Sequence, residues 1–166
     1  MQILIVRHAI AFDQDPLQWP DDRLRPLTPD GEQKMGRAAR GLAKLSTSVD
    51  VLLSSPWKRA WQTAEILHQE AGWPVPQECA ALEGGRSPRG VLTAIRQHPD
   101  AMSIAVVGHE PLTHELASYL LTGDAARVTI EFKKGAVAAL SLEGPLRAGT
   151  AMLLWALPPR LLRSLA

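Results

Sequence analysis

The chain has 166 residues, 46% of them hydrophobic, which is enough to bury one substantial core and too few for two typical domains. Its 18 basic and 17 acidic residues leave a formal net charge of +1, a balance that argues against the strongly basic face of a nucleic-acid binder. The single cysteine, Cys79, cannot form an internal disulfide; the N-terminus lacks the signature of a signal peptide, and no apolar stretch approaches the roughly 20 residues needed to span a bilayer. A soluble cytoplasmic protein, with neither nucleic acid nor membrane as a partner, is the expectation.

In chain order, Ile3–Val6 reads as a first strand, followed by a helix opened by Thr28-Pro29 and striped by Met35, Ala38, Leu42 and Leu45. Val51–Leu53 reads as a second strand. Ser55-Pro56 then offers a capping oxygen and a proline to a helix carrying Ala60, Ala64, Leu67 and Ala71, which stops at Gly72. Ser87-Pro88 opens a third helix, Ile104–Val107 forms the next strand, and Pro111 opens a helix with Leu112, Leu116 and Leu120 on one face. Val128–Phe132, Val137–Leu142 and Met152–Leu157 read as further strands, and Pro158-Pro159 ends the last and starts a short helix through Leu165. Short, continuous apolar runs suit strands covered on both faces of a mostly parallel sheet. No repeat, low-complexity tract or linker interrupts the pattern, so residues 1–166 are expected to form one α/β domain.

The polar residues fall at informative places in this order. Arg7-His8 directly follows the first strand, Ser54-Ser55-Pro56 the second, and Gly108-His109 the strand Ile104–Val107; Arg59 lies in the first turn of the helix after the second strand. In open α/β sheets, ligands bind outside the carboxyl ends of the strands, and nearby helix N-termini favour an anion. Singly, each residue has an ordinary reading: a surface Arg-His pair, a solvated arginine, a Gly-His turn. Jointly, on three strand ends, two arginines and two histidines point to a phosphate site.

The motifs Val6-Arg7-His8-Ala9, Leu27-Thr28-Pro29-Asp30-Gly31, Ser54-Ser55-Pro56-Trp57-Lys58-Arg59-Ala60 and Val107-Gly108-His109-Glu110-Pro111 resemble the histidine phosphatase superfamily, in the family's order and over the first two thirds of the chain. Short length, Arg-His-Ala in place of Arg-His-Gly, and Arg25-Pro26-Leu27-Thr28 are similar to its SixA-type phosphohistidine phosphatases. The resemblance implies a three-layer α/β/α fold with a mostly parallel central sheet, like phosphoglycerate mutase. It also implies a phosphatase with no cofactor and no metal. His8 would be the nucleophile that carries a covalent phosphoryl group; Arg7, Arg59 and His109 would hold its oxygens. Ala9-Ile10-Ala11-Phe12-Asp13 replaces the polar stretch of the family's mutases, which argues against mutase activity.

Glu83 is the positional candidate for the acid that protonates the leaving group, with a plain loop carboxylate as its alternative. A phosphohistidine substrate would need such an acid less than an ester does, because an imidazole leaves more easily than an alkoxide. Arg25 is a candidate substrate-binding residue, whereas Arg23, Arg86 and Arg89 read as solvated loop charge, with lining of the site's mouth to attract an acidic substrate as the alternative. His68, His98 and His114 lack metal-ligand spacing, Cys79 lacks a reactive signature, and Trp57, Trp61 and Trp73 read as packing around the second helix. The substrate implied is a phosphorylated protein of the histidine phosphotransfer type. Alternatives are a small phosphate ester, or a non-catalytic module that binds phosphate.

Overall fold

The computed structural model describes residues 1–45 and 48–166. Six strands, β1 (Gln2–Arg7), β2 (Val51–Ser54), β3 (Gln77–Glu78), β4 (Ser103–Gly108), β5 (Val137–Leu142) and β6 (Ala151–Leu157), form one sheet in the order β3-β2-β4-β1-β5-β6. The β3–β2, β2–β4 and β4–β1 pairings are parallel, and the β1–β5 and β5–β6 pairings are antiparallel. Five helices accompany them: α1 (Pro29–Ala43), α2 (Lys58–Ala71), α3 (Pro88–Ile95), α4 (Leu112–Thr122) and α5 (Pro159–Ser164).

The apolar runs of β1 and β4 divide their side chains between two cores, as the two-residue period of a strand requires. Ile3, Ile5, Ile104 and Val106 join Val91, Ile95, Leu112 and Leu116 on the face covered by α3 and α4. Leu4, Val6, Ala105 and Val107 join Met35, Leu42, Leu67 and Leu162 on the face covered by α1, α2 and α5. This is a three-layer α/β/α arrangement, and β4, threaded between β1 and β2, brings three carboxyl-terminal strand ends side by side.

Two of the three proline-bearing helix starts form as the sequence implies. Thr28 Oγ1 accepts from the Gly31 N–H at 2.9 Å, and Ser87 Oγ accepts from the Gly90 N–H at 3.4 Å. The third differs: α2 begins at Lys58 after Trp57, with no side-chain cap, and the Ser55 hydroxyl accepts instead from the Trp57 N–H just ahead of the helix. Val128–Phe132 is not a strand. Both edges of β1 are taken by β4 and β5, and the other edge of β5 by β6, and this segment pairs with none of them. Of its five residues only Phe132 is buried. Leu45, read as the end of the first helical stripe, lies past the end of α1 and is 37% exposed.

The short helix α5 is held against α1 by Leu162, which is fully buried. A Cβ at Gly41 would lie 1.8 Å from the Leu162 carbonyl oxygen, so glycine is required for this approach. At Gly36, one turn or so earlier on the same helix, the nearest atoms to such a Cβ are at 3.8 Å. Gly41→Ala is therefore expected to destabilise the protein by about 2 kcal/mol or more through overpacking. Gly36→Ala should stabilise it by about 0.5–1 kcal/mol by removing helix-interior glycine entropy. Urea unfolding of both variants checks this, and equal effects would exclude the close approach as the cause.

Candidate active site

Main-chain bonds fix the strand-end residues before their side chains meet. The His8 N–H donates to the Gly108 carbonyl at 3.0 Å, extending the β1–β4 ladder one residue, and the Ser55 N–H donates to the Val107 carbonyl at 3.0 Å. On the other side, the Gly135 N–H lies 3.1 Å from the carbonyls of both Arg7 and His8. The Ala9 N–H donates to Thr63 Oγ1 (3.0 Å), whose own hydroxyl donates to the Arg59 carbonyl (2.7 Å). The segment after the first histidine is thus tied to the helix that carries Arg59.

The two imidazoles face each other with ring centroids 5.1 Å apart, and both are nearly buried, at 6% and 3% exposure. His8 Nδ1 lies 2.7 Å from the Ala9 carbonyl oxygen. A carbonyl can only accept, so Nδ1 carries the proton and Nε2 is left with its lone pair. His109 Nε2 lies 2.9 Å from Ser55 Oγ, which already accepts from the Trp57 N–H at 3.3 Å. With the Ser55 hydroxyl hydrogen donated to that nitrogen, the proton of His109 is on Nδ1. Nδ1 is buried with no partner.

Three arginines surround the pair. Arg59, 5% exposed, donates to the Asp22 carbonyl at 2.8 Å and to Asp22 Oδ2 at 3.0 Å, with its guanidinium 4.8 Å above the Trp57 ring. Arg25 donates to Asp22 Oδ1 at 2.6 Å and to the Phe12 carbonyl at 2.5 Å. Arg7 donates to the Phe132 carbonyl at 2.5 Å. The Nε atoms of Arg7 and Arg59 are buried and unpartnered, like His109 Nδ1. Buried donors without acceptors are uncommon and costly, and here three of them belong to one cluster. An oxyanion with several acceptor oxygens is the ligand that would satisfy them.

Electrostatics follow from this packing. Burial, then the neighbouring His109, Arg59 and Arg7, hold the His8 pKa well below the usual histidine value, against an upward pull from the Ala9 hydrogen bond. Burial and then Arg59, Arg25 and Arg7 push His109 down to about 3. Both rings are neutral at physiological pH. Asp22 is pushed up by burial, but hydrogen bonds and charge from Arg25 and Arg59 outweigh this and hold its carboxyl below the usual range.

Of the residues singled out in the sequence, the structure brings His8, His109, Arg7 and Arg59 together, with Arg25 behind Arg59. Glu83 Oε2 accepts from Arg86 at 2.9 Å, and the adjacent Gly84 packs so closely on Trp57 that a Cβ there would lie 2.7 Å from its ring. Three participants were not read from the sequence as part of a site. Asp22, which opens a one-turn 3-10 helix, joins two arginines, Ser55 contacts His109 instead of capping α2, and Trp57 packs its ring on His109, tilted, with centroids 4.7 Å apart, instead of serving only as packing around α2. The Ser-Ser-Pro-Trp run at a strand end was a visible signal for the last two; nothing local marks Asp22. His114 is paired with Glu110 at 2.5 Å, and His68 Nδ1 lies 2.6 Å from the Trp73 carbonyl oxygen. Cys79 is buried, with its pKa raised by burial.

Residues 3–83 match the histidine phosphatase superfamily (branch 1). An uncharacterised protein of Picosynechococcus is 35% identical over 130 residues, covering 74% of each chain. The phosphohistidine phosphatase SixA of Escherichia coli is 26% identical over 162 residues, covering 96% of this chain and 94% of that one. A solved structure of the protein histidine phosphatase SixA complexed with tungstate superposes with a TM-score of 0.84, at 25% identity, over 98% of this chain and 99% of that one. The chain belongs to the histidine phosphatase superfamily, in its SixA-type group. It is a phosphatase.

Two predictions follow from the charges. An unfolded histidine takes a proton below about pH 6.5, whereas His109 in the fold does not until about pH 3; stability therefore falls as pH is lowered through 6.5. Between pH 7 and pH 5 this costs about 2 kcal/mol, so His109→Asn should lose about that much less stability than the wild type over the same interval in urea titrations. Asp22→Ala should leave Arg59 and Arg25 without their shared anchor. We expect tungstate affinity to drop about tenfold or more, measured by calorimetry, while a merely structural role for Asp22 would change thermal stability and leave affinity intact.

Proposed function

We propose that this phosphatase removes phosphate from phosphohistidine on a phosphotransfer protein, by way of a covalent phosphohistidine on His8. The observation that carries the reading is the fixed tautomer of His8. Its Nδ1–H is held by the Ala9 carbonyl, its Nε2 is free, and its burial among cations keeps the ring unprotonated. A nucleophile in phosphoryl transfer needs that lone pair.

In the first step His8 Nε2 attacks phosphorus, and the bond from phosphorus to the substrate nitrogen or oxygen breaks, its electron pair leaving with the departing group. That group takes up a proton. Water then attacks phosphorus, the bond to Nε2 breaks and returns its pair to the ring, and orthophosphate is released. Arg7, Arg59 and the Nδ1–H of His109 supply donors to the equatorial oxygens, each from an atom that otherwise has no partner. Ser55 keeps His109 in the donating tautomer, and Asp22 and Arg25 hold Arg59. Glu83 is the candidate proton donor to an alkoxide leaving group. A departing imidazole depends on it less.

The test compares a phosphohistidine-bearing protein with p-nitrophenyl phosphate in the presence of EDTA. Phosphohistidine turnover should be fast and indifferent to the chelator. It should be abolished in His8→Ala and lowered on the order of 10²-fold in Arg59→Ala. Glu83→Gln should slow the ester more than the phosphohistidine. Good ester turnover with inert phosphohistidine would move the substrate to small metabolites. Binding of tungstate with no turnover of either compound would leave a phosphate-binding module.

A further inference from the structure

A cavity of about 510 Å³ opens beside Arg7, between α1, the turn before β5 and the start of α5. Six of its lining residues are cationic, namely Arg7, Lys34, Lys133, Lys134, Arg160 and Arg163, and none is acidic. For a chain with a net charge of +1 this is a pronounced local excess. Lys34 is paired with Asp30 at 2.6 Å, and Lys133 lies 3.9 Å from Glu131. Among the described residues, Lys134, Arg160 and Arg163 have no carboxylate within 4 Å. Arg7 is shared: its side chain lines the cavity, and its charge acts on both His8 and His109. Whatever occupies the cavity therefore lies next to the phosphoryl group being transferred.

We infer that this cavity docks an acidic segment of the phosphoprotein substrate, flanking the phosphorylated side chain. The inference rests on the phosphohistidine reading above and narrows its substrate class. A small metabolite is held by a few fixed polar groups in an enclosing pocket. Here the cations sit at the rim. Lys34 and Lys133 have 43% and 62% of their side-chain surface exposed, and Lys134 and Arg160 are exposed as well. They are carried on separate elements around an apolar floor that includes Ile10 and Met35. Long, solvated cations of this kind steer and retain an acidic surface through charge complementarity, and their effect fades with salt.

The experiment measures kcat/KM on two chemically phosphorylated histidine peptides, one flanked by aspartates and glutamates and one by neutral polar residues, with p-nitrophenyl phosphate as a third substrate. The wild type should prefer the acidic peptide by about tenfold at low ionic strength, and 0.5 M sodium chloride should erase the preference. Lys34→Glu/Arg160→Glu, two helix-surface positions away from the turn that holds Arg7 and His8, should abolish the preference and leave ester turnover within about twofold. If that double variant loses ester turnover as well, Lys34→Gln/Arg160→Gln decides in its place. Equal turnover of the two peptides by the wild type, or a preference that survives salt, overturns the docking and leaves the phosphohistidine reading standing. No turnover of either peptide beside active ester hydrolysis overturns both. Inhibition by tripolyphosphate without any peptide preference assigns the cavity to a small polyanion and overturns the inference.

Discussion

The arrangement depends on keeping two imidazoles unprotonated while three guanidinium groups crowd around them. The condition is self-reinforcing: the cations and the burial that lower the two histidine pKa values are also what leaves His8 Nε2 with a lone pair. Such a cluster repels itself, and the fold offsets that with one carboxylate. Asp22 receives Arg25 on one oxygen and Arg59 on the other, and its main-chain carbonyl takes a further bond from Arg59. Neutralisation is incomplete, and three buried donors remain without acceptors. A site held short of charge balance and of hydrogen-bond satisfaction gains most from a ligand that supplies both, which is what a phosphoryl group does.

Holding the cluster rigid falls to the sheet. Because β4 lies between β1 and β2, the residues after three successive strands emerge next to one another, and ladder bonds continue past the strand ends into His8 and Ser55. Thr63 then joins the Ala9 amide to the Arg59 carbonyl, so the segment after His8 and the helix of Arg59 cannot shift independently. Trp57 adds an apolar wall against His109 and beneath Arg59.

Much of this was legible in the sequence, and the misses have physical causes. The strands Ile3–Val6 and Ile104–Val107 were readable because burial on both faces imposes an uninterrupted apolar run. Helix starts at Thr28 and Ser87 were readable because capping is local chemistry. The same local rule failed at Ser55: the helix starts only at Lys58, so its hydroxyl reaches the Trp57 N–H ahead of it, and its contact to His109, 54 residues away, is nothing a cap pattern can show. Val128–Phe132 has strand composition but stays outside the sheet, whose interior edges beside β1 and β5 are taken by other strands, and strand pairing is a property of the whole sheet. Asp22 was invisible for a related reason. It lies among Asp13, Asp15 and Asp21 in a polar loop, and its contact to Arg59 spans 37 residues.

Net charge obscured the distribution that matters here. A sum of +1 reads as an unremarkable surface, yet the fold gathers Arg7, Arg25 and Arg59 at the strand ends and places Lys34 of α1, Lys133 and Lys134 of the turn before β5, and Arg160 and Arg163 of α5 around the neighbouring cavity. Asp22, Asp30 and Glu131 offset these cations only in part, while other acids pair away from them, as with Glu70 beside Arg40 and Glu83 beside Arg86. Segregation of this kind is achieved by folding alone and costs self-repulsion in the native state, so it persists where an anion repays it. The two cationic regions meet at Arg7, whose guanidinium is fixed by the Phe132 carbonyl between the reacting centre and the open rim. One arginine thereby ties the histidine cluster to the open cationic cavity beside it.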